Sequence, residues 1–308
     1  MLSSGKWAFI VNPVAGNGFA REYVATVQEQ IKRFAVEGDI VFTEHMGHAR
    51  LLSAQLARDG CDPVIVVGGD GTVNEAAHGL LDFPGITMGV IPAGTGNDFI
   101  QILGFKERFS EADWPIFFET HKVLMDVGQC NENIFLNGMG LGFDAQVAAE
   151  NYSGEGEVKS GSKSKYLWHI LKNLAFFEEK NFYQVDQDVR QPNRFFMNTI
   201  SIGRRFAGGY FLTPTAIAND GFLDICMVAP LSLPGRLNLF LKVPKGRHIG
   251  HPKVHYYQTD KLILEFDEEV PHHLDGELRF AKRFQIGIMP QKMSMIYNPY
   301  GPHYFNIQ

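Results

Sequence analysis

Only three cysteines occur in the sequence, Cys61, Cys130 and Cys226, an odd number at wide spacing. That excludes a disulfide framework and predicts reduced thiols in a cytosolic protein. No stretch approaches the ~20 apolar residues needed to span a bilayer. The run Trp7–Val11 is far too short for a secretory leader's apolar core, so the expected location is cytoplasmic. Basic residues do not predominate. The formal net charge of −6 argues against nucleic acid as a partner, because a duplex binder needs a basic face. The phosphate-binding pattern Gly-x-x-x-x-Gly-Lys-Ser/Thr is missing, which excludes a Walker-type loop. Nor does Gly-x-Gly-x-x-Gly follow the first strand, since Gly16 and Gly18 lead into Phe19-Ala20-Arg21. Protein-kinase signatures, internal repeats, low-complexity tracts and an obvious flexible linker are missing too.

What is present suffices for two cores, because hydrophobic residues make up 45% of 308. From residue 1 to about 125, β-branched runs at 7–11, 39–43, 63–67 and 86–91 alternate with helical patterns at 20–36, 48–59 and 72–81. This rhythm predicts a parallel sheet covered by helices, with ligands bound at the carboxyl ends of the strands. From 126 to about 290 the pattern becomes strand-rich. Apolar runs at 195–202, 222–228, 261–266 and 284–289 sit among turns at Asn219-Asp220-Gly221 and Asp275-Gly276. The expectation is an α/β domain followed by a mainly antiparallel β domain, with the tail at 291–308 returning to the first. A helical stretch at 163–177 interrupts the β half.

Three glycine loops carry the chemistry. Asn12-Pro13-Val14-Ala15-Gly16-Asn17-Gly18 follows the first strand. Gly68-Gly69-Asp70-Gly71-Thr72-Val73-Asn74-Glu75 follows the third, and Pro92-Ala93-Gly94-Thr95-Gly96-Asn97-Asp98 the fourth. Glycine lets phosphate oxygens approach backbone N–H groups, and the helix that follows adds partial positive charge. One such loop is an ordinary strand-to-helix turn. Three on one sheet edge predict a polyphosphate site.

The motifs Asn-Pro-x-x-Gly at 12–16, Gly-Gly-Asp-Gly-Thr-x-Asn-Glu at 68–75 and Gly-Thr-Gly-Asn-Asp-Phe at 94–99 resemble the diacylglycerol kinase catalytic-domain family. Bacterial lipid kinases and sphingosine and ceramide kinases belong to it. The likeness continues through Gly208-Gly209-Tyr210, Pro214-x-Ala216, Asp220-Gly221-Phe222-Leu223-Asp224 and Leu274-Asp275-Gly276-Glu277. One departure is Ala15, where the family often has serine. The resemblance implies a Rossmann-like, NAD kinase-like α/β domain followed by an antiparallel β-sandwich. It implies ATP-dependent phosphorylation of a lipid hydroxyl, with diacylglycerol as leading acceptor. The enzyme would meet that lipid peripherally and transiently at a membrane surface, and a homodimer stays open.

By resemblance, Asn12, Pro13, Val14, Ala15, Gly16, Thr43, Gly68, Gly69, Asp70, Gly71, Thr72, Asn74, Glu75, Thr95 and Asn97 bind the nucleotide. Asp70 would hold its Mg²⁺, with Asp98 either a helper or simply a helix N-terminal residue. Glu277 would be the general base and Asp275 its orienter or a metal ligand, although Asp275-Gly276 also reads as a hairpin turn. Asp220, with the carbonyls of Ile217 and Phe222, would hold a second, structural metal; the plain alternative is a turn. His248, His251 and His255 have zinc-like spacing, but Gly250 and Pro252 break any helix aligning them. His272-His273 reads as an exposed turn pair. The 163–177 helix, with Leu167, Ile170, Leu171 and Leu174 on one face and Lys163, Lys165 and Lys172 nearby, either packs on the β domain or lies on an anionic membrane. Two rival functions remain open: another kinase of the NAD kinase-like superfamily, with NAD or another lipid alcohol as acceptor, and a non-catalytic nucleotide-binding regulator.

Overall fold

A computed structural model describes residues 5–151, 172–186 and 189–307. The chain divides into two compact units. The first comprises Met1–Val127, Ile217–Gly221 and Met289–Gln308; the second comprises Gly128–Ala216 and Phe222–Ile288.

In the first unit, β1 (Trp7–Val11) and β3 (Val64–Gly68) are buried along their whole length. Continuous apolar runs of this kind belong to parallel strands covered on both faces. β1 pairs in parallel with β2 (Gly38–Phe42) and β3, and β3 with β4 (Thr87–Pro92). Ser294 and Met295, from the end of β14 (Glu277–Ile296), add a further parallel partner beside β4. Helices α1 (Phe19–Arg33), α2 (His48–Arg58) and α3 (Asp70–Leu80) follow the first three strands. α2 and α3 pack closely because Gly79 leaves no room for a Cβ against the Arg50 carbonyl, and Ser53 Oγ donates to Ala76 O at 2.9 Å. α4 (Asp113–Phe118) closes an aromatic cluster in which Trp114, Phe117 and Phe118 stack among Trp7, Phe34, Phe105 and Phe109. Clusters of this kind bury large areas and fix ring geometry.

The second unit is antiparallel. β7 (Gly138–Gly142), β10 (Met197–Ser201), β11 (Leu223–Val228) and β12 (Val254–Thr259) form one run in the order β12-β11-β10-β7. β13 (Lys261–Leu274) joins β7 and forms a hairpin with the first part of β14. The hairpin β8 (Asn181–Asp186) and β9 (Val189–Arg194) extends from β13. β5 (Lys122–Cys130) and β6 (Asn133–Phe135) pair through residues 128–135. α5 (Phe143–Asn151) and α6 (Leu233–Phe240) flank a core containing Phe143, Phe196, Leu212, Cys226 and Val254. This is an antiparallel β-sandwich after an α/β domain.

Two sequence expectations change. The segments at 261–266 and 284–289 are parts of strands of 14 and 20 residues. Charged residues at 267–269 and 282–283 hid their length, but those side chains occupy solvent positions and a bulge between Glu265 and Val270. A sheet with one wet face tolerates them. The turn at 219–221, read as part of the β half, is grouped with the first unit. Its backbone is held there: Asp126 N donates to Ala218 O, Ala218 N to Tyr304 O, and Asn219 exchanges two hydrogen bonds with Asn306.

All three cysteines are buried, and burial pushes the Cys130 and Cys226 thiols up to about 12, so neither is a reactive thiolate near neutrality. Among the described residues no helix is long and apolar enough to cross a membrane. Most of the 163–177 stretch lies outside the described residues. Its end, residues 172–176, is helical, and Leu174 is buried in the second core.

Candidate active site

The three glycine loops of the first unit touch each other directly. Gly16 is in the left-handed region at φ 62°, and a Cβ there would strike the Ala93 carbonyl. A Cβ on Gly94 would strike the Cα of Gly69. Backbone therefore meets backbone, a fit that only glycine allows. Ala93 N donates to Gly68 O at 2.8 Å, and Asn12 Nδ2 donates to Thr72 Oγ1 at 2.9 Å. Asp70 opens α3, and its two carboxylate oxygens accept from the N–H groups of Asp98 (3.1 Å) and Phe99 (3.2 Å). One carboxylate thus joins the second and third loops. Val73 N–H reaches Gly69 O in the first turn of α3, the end of a helix that carries partial positive charge.

Several of the expected nucleotide residues act as braces. Asn97, buried with φ 55°, accepts from Gly94 N (2.9 Å) and donates to Gly94 O (3.0 Å) and Glu107 O (3.1 Å). Glu75 accepts from Gly47 N (2.8 Å) and Ala49 N (3.2 Å), which caps α2 with a negative charge. Asn12 Oδ1 accepts from Val14 N, turning the first loop. Thr43 is buried just beyond β2, its N–H bonded to Val11 O. Thr95 and Val14 are exposed at the loop tips, where a ligand could reach them.

Two residues escaped the sequence reading. Arg108 donates to Pro92 O (3.2 Å) and Gly94 O (2.6 Å), and its guanidinium lies 4.4 Å from the Phe19 ring centre. A fixed positive charge therefore stands beside the third loop, with no motif to announce it. Asp126 is fully buried and accepts from Gly221 N (2.7 Å) and Gln291 N (2.6 Å). Burial pushes its carboxyl above the usual range; the two N–H bonds oppose that, and the nearby Asp220 charge adds to it. Ile217 and Asp220 fall in the 217–221 segment of the first unit, whereas Phe222 belongs to the second. Among the described residues no three carboxylate, histidine or cysteine side chains cluster as a metal cage.

In the second unit Asp275 and Gly276 are both left-handed, at φ 48° and 90°, and link β13 to β14 as the hairpin turn. The Asp275 carboxylate accepts three backbone N–H groups, from Leu136 (2.8 Å), Asn137 (2.9 Å) and Gly138 (2.9 Å). That anchors the turn. Glu277 is half-exposed and lies 3.2 Å from Arg279. His272 and His273 are not exposed. His272 is buried edge-on to Phe284, and burial, chiefly, pushes its pKa down to about 4. His273 Nε2 lies 3.3 Å from Asp144 Oδ2 at the start of α5. His248 is fully buried and bonded to Leu212 O rather than aligned with His251 and His255.

Residues 6–130 match the diacylglycerol kinase catalytic domain, and residues 138–297 match the YegS C-terminal NAD kinase beta sandwich-like domain. The chain belongs to the diacylglycerol kinase catalytic-domain family. Membership makes it an enzyme of the lipid-kinase class. Among similar proteins, a diacylglycerol kinase of Staphylococcus carnosus is 26% identical over 274 residues, covering 87% of each chain. A candidate lipid kinase of Bacillus subtilis, YtlR, is 25% identical over 302 residues, 93% of this chain and 98% of that one. A crystal structure of a candidate diacylglycerol kinase from Bacillus anthracis superposes with a TM-score of 0.79 at 26% identity, covering 96% of both chains.

Proposed function

We propose that the enzyme transfers the γ-phosphoryl group of ATP to the hydroxyl of a lipid, with diacylglycerol as acceptor and phosphatidic acid as product, at the cytoplasmic surface of a membrane. The observation that carries this reading is the meeting of three glycine loops, the first packed on the third at Gly16 and Ala93 and the second tied to the third by Asp70. Phosphoryl transfer needs a cradle for the triphosphate, positive charge, and an aligned nucleophile.

The donor set fits that need. The backbone at Gly16, Gly69, Gly71 and Gly96, with the Thr95 hydroxyl, would offer donors to phosphate oxygens, while the N–H groups of Asn12, Val14, Ala15 and Gly94 are spent on shaping the loops. Bracing by Asn97 and Asn12 shapes the first and third loops before ligand arrives, which lowers the ordering cost of binding. Arg108 adds a fixed positive charge beside the third loop. Asp70, with Asp98 beside it, offers hard carboxylate oxygens suited to Mg²⁺. Magnesium bound there would neutralise charge on the triphosphate. Asp220 with the Ile217 and Phe222 carbonyls remains the proposed structural metal position. On the second unit, Glu277 accepts the proton of the lipid hydroxyl, and Asp275 fixes the turn that carries it.

The test is purified enzyme with γ-labelled ATP, Mg²⁺ and detergent micelles holding diacylglycerol, phosphatidylglycerol or a sphingoid base, beside NAD in solution. Label in diacylglycerol, lost in Asp70→Asn and Glu277→Gln, supports the reading. Label in NAD alone moves the acceptor outside the lipids. ATP binding without any labelled acceptor overturns the kinase reading in favour of a nucleotide-binding regulator.

A further inference from the structure

We infer that α6 and the loop after it form a docking face for an anionic lipid bilayer. Between Ile225 and Thr259 the chain has five basic residues, Arg236, Lys242, Lys245, Arg247 and Lys253, and no Asp or Glu, in a protein of net charge −6. Inside this stretch Leu233, Leu237 and Leu241 recur every four residues and are exposed, at 43%, 42% and 76%. Four-residue spacing puts them in one stripe along the helix. Isolated exposed leucines need no explanation, but three in one stripe form a patch.

The opposite side of α6 is fixed to the unit. Arg236 is buried and donates to Leu174 O (2.9 Å), Phe177 O (3.1 Å) and Glu179 Oε1 (2.7 Å), and its guanidinium stacks 4.6 Å from the Phe196 ring centre. Leu239 is buried, and Phe240 packs on Tyr210. The leucine stripe is therefore held outward by a rigid clamp. Arg236 also ties α6 to the segment carrying Phe176, which is 79% exposed. Just past the helix, Lys245, Arg247 and Lys253 are exposed and Lys242 is half-buried. Apolar side chains flanked by cations, on a stretch of chain without Asp or Glu, match a layer of acyl chains beneath anionic headgroups. Charge complementarity thus favours a bilayer over a second copy of this net-acidic chain.

The inference deepens the lipid-acceptor reading, but its test does not depend on turnover. The full-length protein is sedimented with phosphatidylglycerol or phosphatidylcholine vesicles, without ATP, beside Leu237→Asp/Leu241→Asp and Lys242→Glu/Lys245→Glu. The parent is expected to favour the anionic vesicles by about ten-fold or more, and each double variant to lose about ten-fold of that binding with its circular dichroism unchanged. Turnover on a short-chain, water-soluble diacylglycerol should stay at the parent level, while the apparent KM for bilayer-held lipid rises. Vesicle binding by both variants equal to the parent's overturns the inference. So does a parent dimer in light scattering that Leu237→Asp/Leu241→Asp turns to monomer with vesicle binding intact. Vesicle binding that behaves as expected with no lipid phosphorylated leaves the docking face standing and removes the substrate reading.

Discussion

Asp70 Oδ2 accepts a hydrogen bond from the backbone N–H of Asp98 at 3.1 Å, so the carboxylate of one glycine motif holds the backbone of the next. A side chain proposed to carry charge chemistry is also a structural tie. Its removal should therefore register in two separate measurements.

Asp70→Asn keeps one acceptor oxygen and turns an NH₂ toward a backbone donor. Turnover is expected to fall by about 10²-fold or more. Stability should fall by about 1–2 kcal/mol in urea denaturation, the usual cost of weakening a charge-assisted hydrogen bond. Unchanged turnover in a folded variant would remove Asp70 from the chemistry.

Asp275 and Glu277 are two residues apart but should separate cleanly. Asp275→Ala strands three backbone N–H groups and should cost about 2–4 kcal/mol. Glu277→Gln weakens a half-exposed pairing with Arg279, so stability should shift by less than about 0.5 kcal/mol. Its turnover should nevertheless fall by about 10²–10⁴-fold if Glu277 is the base. Comparing denaturation midpoints with kcat for both variants checks the division.

Gly94→Ala places a methyl group against the Cα of Gly69. The two loops must separate, and nucleotide affinity is expected to drop by about ten-fold or more. Isothermal titration with an ATP analogue measures it. Wild-type affinity would mean that the loops need not touch to bind.

His272 predicts an acid-side loss of stability. Its pKa is about 4 in the fold against an ordinary 6.5, mainly through burial, with His273 and Arg279 adding to the depression. The folded state therefore binds fewer protons than the unfolded chain between those values. Stability is full above about 6.5 and declines as pH falls toward 4, at up to about 1.4 kcal/mol per pH unit from this group. His248, also depressed by burial, adds in the same direction. Urea midpoints at pH 7 and pH 4.5 should differ less in His272→Leu than in the parent.

The first half was legible because its chemistry is local. A buried parallel strand must be apolar throughout, as Val64–Val67 is, and a sharp turn beside a phosphate site needs glycine at fixed offsets, as in Gly68-Gly69-Asp70-Gly71. The second half was less so. Lys282 and Arg283 look like interruptions of a strand until its solvent face is known, and His272 and His273 look like turn residues until Phe284 and Asp144 are brought against them.

By itself the sequence determined the alternation of strands and helices, the three loops at the strand ends and the family those loops belong to, because each depends on spacings of a few residues. Tertiary structure alone decided which polar side chains are braces and which are presented. Asn97, Glu75 and Asp275 spend their polar atoms on backbone N–H and C=O groups, and Arg108 reaches Gly94. Asp126 meets Gly221 and Gln291 from 95 and 165 residues away, a contact that no local pattern encodes. A motif records which functional groups are available. Where each one's hydrogen bonds go is fixed only when the chain packs and every buried polar atom must find a partner.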